Sequence, residues 1–92
     1  MITWYSRHPD LRLTALEGEG VVLHLGSRRY FTVSETGQVI LEALKVPCTF
    51  EAIVAEISAR YEIDDQHATE SVRSFLERCV RVALVVAEDR VG

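Results

Sequence analysis

The sequence predicts an α+β domain of winged-helix type, with a three-stranded antiparallel sheet followed by three helices in the order β-β-β-α-α-α. Three observations predict it. Apolar and polar residues nearly alternate in short runs between Leu11 and Val33, the signature of strands with one buried face. From Thr36 to Ala83 the apolar residues recur instead at three- and four-residue intervals, the helical period. The connections between the predicted strands are also too short for anything but an antiparallel meander.

Residues 1–10 form a polar and aromatic N-terminal arm. Leu11–Leu16 is the first strand, and Glu17-Gly18-Glu19-Gly20 is a turn in which glycine supplies positive φ. Val21–Leu25 is the second strand, and Gly26-Ser27-Arg28-Arg29 the second turn. Tyr30–Val33, aromatic and β-branched, is the third strand. Ser34 caps the first helix, Glu35 favours its positive end, and Pro47 stops it. Thr49 caps the second, in which Phe50, Ile53, Val54, Ile57 and Tyr61 form one stripe. Asp64 or Asp65 caps the third, which runs to about Ala83 with Ala68, Val72, Phe75, Leu76, Cys79 and Val82 on its apolar face. Leu84-Val85-Val86 is an apolar exit with strand-like character, and 87–92 a frayed tail.

A chain of 92 residues has room for a single domain and a shallow core, in which folding hides roughly 60–65% of the unfolded surface. No run approaches 18 apolar residues and no signal-peptide pattern opens the chain. Two cysteines 31 residues apart make neither a disulfide framework nor a thiolate zinc site, and fit a reducing cytoplasm. The net charge of −4 is uneven: residues 1–46 are neutral, whereas Glu51–Asp65 carries five acids against one arginine. Arg73, Arg78 and Arg81 make a local basic stretch on the third helix, where a winged-helix nucleic-acid binder carries its recognition residues. Glu70 and Glu77 interrupt that stretch, and the net acidity weighs against such a partner.

No catalytic constellation is present. His8, His24 and His67 are scattered, and His24 reads as a solvent-facing strand residue. Cys79 falls on a core stripe as a small hydrophobe, Cys48 beside Pro47 is expected to be exposed, and Gly18 and Gly20 open no phosphate-binding helix. Neither a metal nor a cofactor is implied.

Two features suit a binding module. The third strand is an edge of its meander, with backbone groups free for an added strand. Arg28 and Arg29 beside it act either as guards against aggregation or as attractors of an acidic peptide. The apolar stripe of the third helix spans roughly 160°, where a small domain's own core requires ~100°. The excess either docks under Leu84–Val86 or lines a groove.

His24-Leu25-Gly26-Ser27-Arg28-Arg29-Tyr30-Phe31-Thr32-Val33-Ser34-Glu35-Thr36-Gly37 resembles the PqqD-like signature D-x-x-x-G-x-Y-Y-x-L-N-x-x-G. Thr49, Tyr61, Phe75-Leu76 and Ala83-Leu84-Val85 match its later features, so the resemblance covers roughly Leu13 to Val86. His24 stands where the pattern has Asp, Arg28 and Ala83 where it has Gly, and Ser71 where it has an acid. The resemblance implies a RiPP recognition element, a cytoplasmic, non-catalytic domain without cofactor that binds the leader of a ribosomally made precursor peptide. In that family the leader adds antiparallel to the third strand and lies in the cleft with the third helix. A free-standing chain of this size is similar to the leader-binding proteins of lasso-peptide clusters, which present the precursor to a leader peptidase and a cyclase. The second possibility is the PqqD-type peptide chaperone, which delivers a precursor to a radical SAM enzyme.

On that basis the expected peptide-binding residues are Arg29, Tyr30, Phe31, Thr32 and Val33 on the strand, and Ser71, Ser74, Phe75, Arg78 and Val82 on the helix. Phe31 and Val33 share the face expected to floor the cleft, Phe75 and Val82 are its wall, and Ser71, Ser74 and Arg78 its rim. Arg29 and Arg78 are the candidates for leader carboxylates. The opposite rim, Thr69, Arg73 and Val80, is the alternative.

Overall fold

The computed structural model describes residues 1–91. Its elements are β1 (Ile2–Arg7), β2 (Leu11–Leu16), β3 (Glu19–His24), β4 (Arg29–Ser34), α1 (Glu35–Ala43), β5 (Cys48–Thr49), α2 (Phe50–Tyr61), α3 (Asp65–Arg81) and β6 (Val85–Arg90). The meander and the three helices fall close to where the sequence places them, with β3 starting two residues early, at Glu19, because the turn needs only Glu17 and Gly18, and the strands make two sheets. One is β2-β3-β4 and the other β5-β1-β6.

In the meander, Leu13 faces Val22 and Val22 faces Phe31 across the strands. The period of two then puts Leu11, Leu13, Val22, Phe31 and Val33 on one side, against the helices. The helices answer with Ile40, Leu41, Leu44, Ile53, Ile57 and Val72, all essentially inaccessible. Each such side chain contributes about 1.5–3 kcal/mol by leaving water. All three expected caps form: Ser34 accepts from the Gly37 N–H, Thr49 from Ala52 and Asp64 from His67. The His67 N–H holds the Asp64 carboxyl below its ordinary 3.8.

The N-terminal arm and the frayed tail are corrected. Residues 2–7 pair antiparallel with 85–90, from Ile2 against Arg90 to Arg7 against Val85. The ladder is reinforced by Thr3 donating to Asp89 and by the Arg90 guanidinium 5.5 Å from the Trp4 ring centroid. Backbone pairing therefore orders two segments that are unremarkable singly; only residue 92 of the expected tail lies outside the described residues. His24 is also corrected. It shares the inward parity of Val22, is buried, and its Nδ1 accepts from the Ser27 N–H, which secures the β3–β4 turn. Cys48 is half-buried, with Sγ 3.4 Å from the Ala43 and Val46 carbonyls.

The end of α3 is a Schellman motif. Leu84 N–H donates to the Cys79 carbonyl at 2.8 Å and Ala83 N–H to Val80 at 3.2 Å. Ala83 occupies the left-handed position of that motif, with φ 62°, and Arg28 in the β3–β4 turn has φ 57°. Both are the sites where the PqqD-like signature has glycine, because only glycine reaches that region without its Cβ crowding the backbone. Ala83→Gly is therefore expected to stabilise the fold by about 0.5–1 kcal/mol, strain relief exceeding the added unfolded-state entropy. Urea unfolding measures it, and a loss of stability would refute the strain.

Candidate functional site

β4 is the last strand of its sheet, so its backbone pairs with β3 on one side only. α3 runs past this open edge and leaves a cleft in two chambers. The first, 380 Å³, is lined by Phe31, Thr32, Val33 and Ser34 of β4, by Phe75, Arg78 and Arg81 of α3 and by Val82, which caps the C-terminus of that helix. The second, 460 Å³, lies where β4 enters α1 and is lined by Thr36, Gly37 and Ile40 opposite Glu70, Ser71 and Ser74. Ser34, Phe75 and Arg78 border both.

Phe75 is 8% exposed and packs on α1 at Gly37. A Cβ on Gly37 would stand 2.7 Å from Phe75 Cε1 and 3.3 Å from Val33 Cβ. Glycine inside a helix costs about 1 kcal/mol relative to alanine. Here it lets the edge of the Phe75 ring approach the α1 backbone closely.

Charge surrounds an apolar floor. The Arg29 guanidinium lies 5.4 Å from the Phe31 ring centroid, and that of Arg78 lies 6.0 Å from Phe75. Arg78 Nε also donates to the Ser74 carbonyl. Among the described residues Arg29, Arg78 and Arg81 make no ion pair within the chain, so three cations border the first chamber or stack on its floor with their charge open to a ligand. Chemically the cleft offers a free strand edge, one apolar-floored chamber, one chamber lined mostly by polar side chains, and guanidinium donors. Burial pushes the Cys79 thiol, beneath the first chamber, up to about 11, so it stays protonated and unreactive. Among the described residues no cluster of three metal-ligating side chains occurs.

Of the expected residues, the structure brings Phe31, Thr32, Val33, Ser71, Ser74, Phe75, Arg78 and Val82 into the cleft lining, with Arg29 stacked on its floor. Tyr30 is apart from it: 73% exposed, its ring lies on the opposite face of the sheet. Of the alternative rim, Arg73 and Val80 face a different groove behind α3, and Thr69 lines neither that groove nor the cleft. Sequence reasoning missed Arg81, Glu70 and the α1 residues Thr36 and Ile40 as lining. Arg81 stands three residues after Arg78, one turn along the same face, and that spacing was the available signal.

Residues 19–85 match the family model described as coenzyme PQQ synthesis protein D, PqqD. The chain belongs to the PqqD family. Its fold is that of a PqqD-like RiPP recognition element. It is similar to the structure titled "TbiB1 in Complex with the TbiA(beta) Leader Peptide", at 25% identity and a TM-score of 0.77, covering 95% of this chain and 99% of that one. It also shares its fold with "Lasso peptide synthetase B1 complexed with the leader peptide", at 13% identity and a TM-score of 0.74, covering 89% and 96%. No curated protein matches this PqqD-family chain in sequence. No helix among the described residues is long and apolar enough to cross a membrane.

Proposed function

We propose that this chain is a non-catalytic adaptor that captures the leader of a ribosomally synthesised precursor peptide and presents it to a leader peptidase and cyclase in lasso-peptide biosynthesis. One observation carries the reading: an unpaired strand edge, β4, opens onto an apolar-floored cleft, in a chain similar to two structures that are both named as leader complexes. The leader adds to β4 as a fourth strand, so its backbone supplies affinity and its alternate side chains enter the two chambers. Phe31, Val33, Phe75 and Val82 hold apolar anchors. Ser71 and Ser74 offer hydroxyls at the second chamber. Arg29 and Arg78 meet leader carboxylates and act mainly on association rate and salt dependence. Membership of the PqqD family supports delivery to a radical SAM enzyme as the second reading.

The test is fluorescence polarisation with the leader of the precursor encoded beside this gene, as a labelled peptide of roughly 15–20 residues, enough to cover β4 at ~3.3 Å per residue and both chambers. A Kd on the order of 1 µM or tighter is expected. Absence of saturable binding sinks the adaptor. Which enzyme then acts on the complex, a peptidase with a cyclase or a radical SAM protein, decides between the two readings.

A further inference from the structure

A second groove lies behind α3, on the side away from β4. It has a volume of 810 Å³, twice that of the first chamber of the cleft, and the leader-binding reading leaves it unused. Its floor is apolar: Leu76 and Val80 of α3 face Tyr5 of β1, Phe50 of α2 and Ala87 of β6. Val80 is 41% exposed, so this is where the excess width of the α3 stripe emerges. Arg73, Glu77 and Arg81 line the groove from α3, at i, i+4 and i+8. Neighbours of opposite sign at that spacing ordinarily pair with each other. Here none of the three is in an ion pair among the described residues, and the Arg73 guanidinium stacks 5.6 Å from the Phe50 ring centroid instead.

We infer that this groove docks an amphipathic helix of a partner protein whose flank reads acid, base, acid at the same four-residue spacing. The occupant is a helix because the groove is walled by side chains; the free backbone edge of β6 points along the plane of its sheet and not from the face that lines the groove. One wall is α3, whose amides are satisfied internally, and the other is a face of the β1–β6 pair, which presents side chains. A strand laid there would leave its own N–H and C=O groups unpaired, whereas a helix satisfies its own. The charge order is that of the α3 wall: plus, minus, plus along about 12 Å, at 1.5 Å per residue, matches minus, plus, minus on a helix of at least two turns, while Glu51 adds an acid from α2 beside Phe50. The inference rests on the face of α3 turned away from β4, and of its three charges only Arg81, at the end of the helix, also borders the leader cleft. An adaptor with a bound peptide on one side of α3 thereby has its other side free for a second protein.

The test uses two synthetic 16-residue helical peptides with the same leucine seam, one flanked Glu-Lys-Glu and the other Lys-Glu-Lys, titrated into the isotopically labelled full chain and followed by amide NMR shifts. The Glu-Lys-Glu peptide is expected to give saturable shifts centred on Leu76, Val80 and Ala87, and to bind about tenfold tighter than its reversal. Arg73→Glu with Glu77→Lys is expected to exchange that preference. Val80→Asp is expected to remove the shifts while leader polarisation is unchanged. Equal binding of both peptides, no saturable shift, or shifts centred on β4 would each overturn the inference. So would a dimer of the chain alone that Val80→Asp disperses, because a second copy would then fill the groove.

Discussion

Replacing Gly37 by alanine is expected to lower leader affinity about tenfold while changing the stability of the free protein by no more than about 1 kcal/mol. The two effects separate because they act on different groups. Alanine gains about 1 kcal/mol of helix propensity, and the clash it creates falls on the edge of the Phe75 ring, 2.7 Å from the new Cβ. That ring borders both chambers, so the relief available to it is to swing into the cleft. An arriving leader then has to push the ring back against the new methyl, an overpacking cost of about 1–3 kcal/mol. Gly37→Ala with Phe75→Leu is expected to recover part of the affinity, because leucine vacates the space the methyl needs. Polarisation titrations of the three variants, with urea unfolding of each, check this. Unchanged affinity in Gly37→Ala would remove Gly37 from the construction of the site.

The larger loss is expected from proline in β4. In an antiparallel ladder successive residues alternate, one sending both backbone groups to its neighbour strand and the next sending both outwards. Of Thr32 and Val33, therefore, one donates its N–H to β3 and the other to the open edge. Proline at the outward residue deletes the donor a leader strand needs and sets its ring in the path of the added chain. A loss of about 100-fold in leader affinity is expected, with the melting temperature nearly unchanged. Proline at the inward residue removes a ladder bond and leaves a buried carbonyl unmatched, costing about 1–3 kcal/mol of stability. Amide protection of the free protein identifies which is which beforehand. If both variants fold and both bind normally, strand addition to β4 is wrong, whatever the affinity of the leader.

The parts of the structure legible in the sequence are those set by near neighbours. Ser34, Thr49 and Asp64 cap their helices because a cap needs only a side-chain oxygen and an amide three residues on. The faces of β4 follow from a period of two, and the α3 stripe from a period of 3.6. The pairing of β1 with β6 was not legible, since the partners lie more than 75 residues apart and Glu88-Asp89-Arg90 are poor strand formers taken alone. His24 was legible and misread: its parity with Val22 outweighs the general exposure of histidine on strands. The cleft was legible in its floor and wall, which are apolar and periodic. Its second chamber was not, because that chamber depends on how α1 crosses α3, and Gly37 shows its purpose only against the ring it admits.

The ladder between β1 and β6 also brings two distant parts of the chain side by side. Ile2 and Arg90 are direct cross-strand partners, about 5 Å apart as such pairs are, a gap that a two-residue hairpin closes. Residues 2 and 90 thus meet at one place on the sheet that does not contain β4. Circular permutation, with a short linker from 90 to 2 and new ends in the turn at Glu17-Gly18, would leave β4 and α3 intact. By the same geometry the whole unit could be spliced into a surface loop of an enzyme without parting the walls of its cleft.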